Sequence, residues 1–390
     1  MKSALRFVPF AVVLAISAAL LIAANIHSVE PSGLTVHEWG TFTSVAGEDG
    51  SAIDWDALGC KSDLPKFVND YGYRGFKWTL QGTVRMETPV MYFYSAHEMD
   101  AHVKVAFPQG LITEWYPQAD YKDHQGSSMR PLPANMHGVV ASLGGNIEWS
   151  NVKVQPGTAP ALPVDSAPSR YYAARQTDAA PLAVGGQHEK FLFYRGVGRF
   201  PVPLSARVSG DGKIVVENRG HEPIPSVILF ENRGGRMGYR MAGSLADTSM
   251  LDAPQLGGSL PQLRQDLQTA LIAQGLFPAE AKAMVETWRD SWFEEGSRLI
   301  YIVPSSMVDA ILPLQVEPAP LHTVRVFVGR VELLTPETRR SVESAIAKND
   351  WPAVDRYSRF LEPILQRLYA ADVSKAGEIE QRYRELQGCR

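Results

Sequence analysis

From Leu34 to about Met241 the chain is cut into short apolar segments by glycines and prolines, and this punctuation restricts what it can fold into. Val84–Tyr94 (VRMETPVMYFY) is rich in β-branched and aromatic residues. His102–Phe107 alternates apolar and polar residues, Pro108-Gln109-Gly110 supplies a turn, and Leu111–Tyr116 reads as the returning arm of a hairpin. Asn146–Val154, Lys190–Tyr194, Leu204–Val208, Lys213–Glu217 and Ser226–Phe230 add further predicted strands. Many short strands between turns favour an antiparallel sandwich over a parallel sheet with crossover helices. Leu162–Ala183, rich in alanine and proline, reads as a surface excursion or linker.

Beyond about Leu245 the period changes. Leu263, Leu267, Ala270 and Leu271 fall at helical spacing behind Ser259 and Pro261, a cap and a first-turn proline. Pro278 opens a second predicted helix that carries Ala281, Met284, Val285, Trp288 and Trp292 and ends at Gly296. Arg298–Val303 and Val324–Leu334 read as strands. Thr335-Pro336-Glu337 and Asp350 start two further helices, Pro363 interrupts the second, and a last amphipathic helix covers roughly 374–386. The expected fold is therefore α+β: a β-sandwich-like region over 30–244, then a mixed, mainly helical region over 245–390 packed on it.

Residues 1–29 form a separate unit. Behind Lys2 and Arg6, Phe7–Ala24 carries no charge. A run of about 18 such residues is at the lower limit for spanning a bilayer and a little long for a signal-peptide core. Cleaved signal and retained anchor are both open, and either would carry residues 30–390 out of the cytoplasm, to the periplasm or the exterior. The later apolar stretches, such as Val227–Phe230 and Leu299–Val303, are strand-sized. With 38 basic and 42 acidic side chains the net charge is −4, which leaves no electrostatic footprint for nucleic acid. The two cysteines, Cys60 and Cys389, are open to a bridge in an oxidising compartment or to remaining unpaired.

No nucleophile elbow, phosphate-binding glycine loop or His-Glu-x-x-His helix occurs in the sequence. The candidate acid–base residues are His37, Glu38, Glu87 and Glu114, each in aromatic or apolar surroundings. On a strand, His37, Trp39 and Thr41 share one face, and Glu38 shares the other with Val36 and Phe42. Burial of such a carboxyl raises its pKa and suits it to a glycosidase-like pair. The competing account gives each carboxylate an arginine, for example Arg85, Arg195 or Arg199, as a structural buttress. Trp39, Tyr94, Trp115, Tyr116, Arg195, Trp288 and Trp292 are candidate binding residues, because exposed aromatic faces stack on sugars; the competing account makes them core. For a divalent metal the best candidates are His97, Asp100 and His102, within six residues between two predicted strands. An acidic loop with Glu48, Asp49, Asp54 and Asp56 offers oxygen ligands to calcium, without the helix–loop–helix spacing. Two functions follow as expectations: a non-catalytic envelope module that binds a glycan or a protein partner, or an extracytoplasmic hydrolase that uses carboxylates or a metal.

Overall fold

A computed structural model describes residues 33–58, 64–70, 81–123 and 144–386. The N-terminal run, Cys60 and Cys389 lie outside the described residues. Among the described residues no helix is long and apolar enough to cross a membrane.

The first half of the chain supplies strands β1 (Thr35–Val45), β2 (Asn69–Asp70), β3 (Val84–Tyr94), β4 (Met99–Phe107), β5 (Gly110–Tyr116), β6 (Asp120–Asp123) and β7 (Gly145–Val154). After them come β8 (Leu182–Val184), β9 (Gln187–Glu189), β10 (Leu192–Gly198), β11 (Leu204–Val208) and β12 (Ile214–Asn218). Strands β13 (Ile224–Arg233), β14 (Arg236–Leu245) and β15 (Thr248–Leu251) lead into helices α1 (Leu260–Ala273) and α2 (Pro278–Thr287). The remainder is β16 (Gly296–Val303), α3 (Ser305–Ile311), β17 (Leu314–Glu317) and β18 (His322–Leu333), then α4 (Pro336–Ala347), α5 (Trp351–Asp355), α6 (Leu361–Leu368) and α7 (Val373–Leu386).

The protein is mixed α and β, with sheets dominating. Nine strands form one sheet in the order β14-β13-β16-β18-β1-β3-β10-β5-β2. β1 runs parallel to β18 and antiparallel to β3; the other pairs in this sheet are antiparallel. One face of the large sheet packs on a six-stranded sheet (β17-β4-β7-β8-β9, with β6 also on β7) and a three-stranded one (β11-β12-β15). Val36, Phe42, Met91, Val103, Trp149, Leu204 and Val216 share that core, which also takes in Val342, Val354 and Leu361 of the C-terminal helices. The opposite face, with Trp39, Val90, Ile300 and Val328, lies under Leu263, Leu267, Met284 and Val285 of α1 and α2. Both faces of β1 are therefore covered, and its residues from Val36 to Val45 are all buried.

The helix starts follow local chemistry. Ser259 accepts from the Gln262 amide, Thr335 from Thr338 and Asp350 from Ala353, each with a proline in the first turn. Strand partners differ from the sequence expectation. β4 and β5 do not pair: β4 lies between β17 and β7 in the six-stranded sheet, and β5 between β10 and β2 in the large one. The Pro108–Gln109 turn is thus a corner between layers, because Val103, Val105, Ile112 and Trp115 face one shared core from two sheets. The expected helix through Trp292 ends at Thr287, with Trp288 as its C-cap. The alanine- and proline-rich 162–183 segment is not a bare linker. It holds a 3-10 helix, Arg170–Arg175, with Tyr171 and Ala174 buried, and ends in β8. β16 and β18 stand between β13 and β1, so the chain beyond residue 245 builds the sheet's middle as well as its helical cover.

Candidate functional site

His37 and Glu38 point to opposite faces of β1, as alternation requires. The His37 Nδ1 lies 2.8 Å from Glu280 Oε2, between the rings of Phe277 (4.4 Å) and Tyr94 (5.5 Å). Glu280 is the third residue of α2, where its carboxylate also accepts from the Phe277 amide at 2.7 Å and thereby caps the helix. Its second oxygen accepts from the Tyr94 hydroxyl at 2.8 Å. Burial, and then the charge of Glu280, holds the Tyr94 phenol well above its usual range. His37 and Tyr94, proposed for different roles from sequence, thus meet around a carboxylate that sequence reasoning missed. The only local signal for Glu280 was an acid three residues into a proline-started helix.

The three candidate carboxylates do not form one site; each has its own cation. Glu38 accepts from Arg325 Nε at 2.6 Å and from the Tyr194 hydroxyl at 2.6 Å; Arg325 also reaches Asp309 and the Leu312 carbonyl. Glu114 accepts from Arg195 at 2.8 Å and from the Thr113 hydroxyl. Glu87 lies 2.9 Å from Arg85 Nε, bonds Arg359, and accepts from the Thr43 hydroxyl at 2.8 Å. Burial pushes the Glu87 carboxyl up, but the guanidiniums of Arg359, Arg85 and Arg330 outweigh it and hold it at about 2. The arginine-buttress account thus describes Glu87 with Arg85 and Glu114 with Arg195. Arg199 pairs instead with Asp54, at 2.7 Å.

Glu87 belongs to a larger charged strip across the end of the helix-covered face. Register sets Arg85, Thr43 and Arg330 side by side on β3, β1 and β18, and Glu332 beside Arg298 on β18 and β16. Arg298 holds Glu332 at 2.8 Å, and Arg330 reaches Glu294 at 2.5 Å. Four guanidiniums (Arg85, Arg298, Arg330, Arg359) thus meet three carboxylates (Glu87, Glu294, Glu332). The Arg330 guanidinium lies 4.8 Å over the Phe360 ring, with Nε and Nη1 making no hydrogen bond. The aromatic face takes up part of the surplus positive charge.

Of the candidate binding aromatics, Trp39, Trp115, Tyr116, Trp288 and Trp292 are buried, so their faces pack protein and are not open to a sugar. Trp115 stacks on Tyr121, Tyr116 meets Phe67 edge-on, and Trp288 lies under Arg170 at 5.0 Å. Tyr94, on the Glu280 cluster, is only partly buried.

The proposed metal residues do not converge. His97 sits in the turn before β4 and is exposed; Asp100 and His102 are on the strand, and His102 pairs with Glu148 at 3.3 Å. The acidic loop is likewise dispersed, with Asp54 on Arg199, Asp56 on Arg384, and Asp49 accepting from its own turn at Ser51. Among the described residues no three of His, Cys, Asp or Glu are grouped so as to hold a metal ion. A converging set needs strands that bring side chains to one point, and here the two histidines belong to one turn and strand.

Among the described residues, part of one edge of the large sheet has no strand beside it. β14, ten residues long, ends the sheet on one side; β2, two residues long, ends it on the other. The Met237 carbonyl is taken by the amides of Gly257 and Gly258. By the two-residue period, the backbone groups of Tyr239 and Met241 face the same outer side, where no strand pairs with them among the described residues. Arg236 and Arg240 are exposed and have no ion-pair partner among the described residues. Met241 is 43% exposed, and Met250 on neighbouring β15 is 58% exposed.

No family model matches this chain, and no curated protein matches it. Among solved structures the chain is similar to the yeast delta-COP-I mu-homology domain complexed with Dsl1 WxWxV peptide, at 10% identity, over 78% of this chain and 99% of that one. The TM-score is 0.29, too low for the likeness to carry an argument.

Proposed function

We propose that the protein is an exported binding module without a reaction of its own, and that it takes a protein partner along the outer edge of β14. The Tyr239–Met241 stretch of that edge, without a strand partner among the described residues, carries this reading. Long open edges are usually blunted or covered, and an extended peptide can add to one as a further strand. Arg236 and Arg240, exposed and without an ion-pair partner among the described residues, favour a peptide with acidic residues. Export rests on the charge-free Phe7–Ala24 run. The glycan form of the reading has less support, since the indoles that would stack on sugars are buried. The hydrolase alternative needs a carboxyl free to exchange a proton; Glu38, Glu87 and Glu114 are each held by arginine.

The test is fluorescence anisotropy with a panel of labelled, strand-forming acidic peptides, with neutral peptides and a glycan panel as the other arms. Acidic peptides are expected to bind, more weakly as salt rises, and Arg236→Glu with Arg240→Glu should weaken binding about tenfold. Met241→Pro removes one outward N–H and should act likewise. Glycan binding with no peptide binding, or peptide binding indifferent to both variants, would overturn the edge reading.

A further inference from the structure

Residues 267–279, from the second half of α1 to the start of α2, include no Lys, Arg, Asp or Glu, and neither do residues 318–324, which lead from β17 into β18. The fold brings both stretches to one end of the large sheet. The Leu321 amide donates to the Leu34 carbonyl at 2.7 Å, and His322 pairs with Thr35 at the start of β1. Two residues further along β1, His37 pairs with Val324 and lies 4.4 Å from the Phe277 ring. Gly275 holds the turn between the helices against the same strand: its φ is +107°, and a Cβ there would stand 3.2 Å from the Val324 side chain. The first acid after this turn, Glu280, points inward onto His37 and Tyr94.

This end leaves Ile272, Phe277 and Leu321 41%, 44% and 53% exposed. They are three of the eight exposed large apolar side chains among the described residues. Single apolar side chains are ordinary on any surface, whereas several gathered at one charge-poor place mark a contact surface. The turn after Tyr94, which pairs with Thr35, adds one exposed acid, Glu98. Attraction to anionic headgroups is therefore not what this end offers; it offers apolar contact.

The occupant follows from where the described chain begins. Gly33 and Leu34 stand at this same end, and only residues 25–32 separate them from the charge-free run 7–24. That connection spans no more than about 30 Å even fully extended. A run held in a bilayer thus keeps this end of the sheet close to the lipid surface. We propose that the body rests on the bilayer by this end, with Ile272, Phe277 and Leu321 set among the lipid headgroups. This rests on the reading of residues 7–24 as an export segment, here retained as an anchor. The β14 edge stays clear of the lipid. Met241 is level, through Ile228, Ile300 and Arg330, with Thr43, six residues along β1 from His37 and four strands across. Six residues of strand are about 20 Å.

Lipid photolabelling of the full chain tests the contact. The chain is reconstituted in phosphatidylcholine vesicles that contain a phosphatidylcholine with a diazirine on its acyl chain, irradiated, and mapped by peptide mass spectrometry. Adducts are expected in 7–24, in 272–279 and in 318–323. Those in the last two segments should exceed those on Met241 and Met250, which are 43% and 58% exposed, by about tenfold. Ile272→Asp with Leu321→Asp should cut the adducts of these two segments about tenfold and leave those in 7–24 unchanged. Both positions are exposed, and near-ultraviolet circular dichroism checks the fold; the wild-type map decides the proposal even if the variant misfolds. Adducts confined to 7–24 overturn the proposal while the anchor stands. Adducts in 272–279 and 318–323 without any in 7–24 keep the contact and remove the anchor. Adducts nowhere, adducts equally strong on Met241 and Met250, or adducts indifferent to the folded double variant overturn the proposal.

Discussion

Glu87 is a buried anion kept charged by its neighbours, and its removal exposes the cost of that arrangement. Glu87→Gln leaves Arg85 and Arg359 facing each other without the carboxylate between them. The expected loss is about 3–5 kcal/mol at pH 7, read by chemical denaturation. The pH dependence has a definite sign. The folded-state pKa of about 2 lies below the ordinary 4.5, so this stabilisation is present above about pH 4.5 and fades as pH falls toward 2. The variant should show a shallower acid limb than the wild type.

Glu362 on α6 behaves oppositely. Burial, with the charges of Glu380 and Asp56, pushes its carboxyl up to about 7, although its Oε2 accepts from the Asp56 amide at 3.1 Å. The folded protein keeps this proton between pH 4.5 and 7, whereas the unfolded chain loses it. Stability from this group therefore falls as pH rises through that window. Glu362→Gln should flatten the fall and raise stability above pH 7 by about 1–2 kcal/mol, allowing for its partial exposure. Melting curves at pH 5, 6, 7 and 8 would show an unchanged slope if the residue is not protonated.

At the scale of elements, what could be read from the sequence was what the chain settles locally. Ser259, Pro278, Thr335 and Asp350 start helices because caps act within three or four residues. Alternation along β1 separated His37 from Glu38, and the pairing of Glu87 with Arg85 needed only two residues of strand. Long-range partners were not legible. Glu280 reaches His37 across 243 residues, and nothing in HVKVAF or LITEWY says that the two strands belong to different sheets. The charged strip was also invisible, since it exists only once β1, β3, β16 and β18 lie in register.

Two glycine sites test the sheet directly. The β13–β14 hairpin turns through Gly234 and Gly235, with φ of 60° and 78°, the paired left-handed geometry of a two-residue loop. Gly235→Ala should cost about 1 kcal/mol through backbone strain alone. Gly329 on β18 is opposite Tyr301 on β16, and a Cβ there would stand 2.0 Å from the tyrosine ring. Gly329→Ala should cost about 2–3 kcal/mol or more, because the ring has packed strands on either side. Thermal denaturation of the pair gives the ratio; equal losses would mean that Tyr301 moves freely.

At the scale of the whole molecule, the large sheet joins sequence regions that composition separates. β16 and β18, from beyond residue 245, are inserted between β13 and β1, from before it. A fragment ending at residue 244 would leave β1 without its parallel neighbour and Glu38 without Arg325. Such a fragment is expected to be unfolded by circular dichroism and hydrogen exchange, and the full chain to unfold in one transition. Two resolved transitions, or a folded 33–244 fragment, would contradict this.

The β1–β18 pairing also has a consequence for how the molecule is made. Glu38 and Arg325 stand 287 residues apart in the chain. At roughly 5–20 residues per second, synthesis separates their appearance by roughly 15–60 s. For that interval the first strand can pair with β3 but lacks its parallel neighbour β18, and Glu38 waits without its arginine. A newborn chain in this state is a client for any holdase that shelters sticky segments, and its maturation should slow or fail when such shelter is withdrawn.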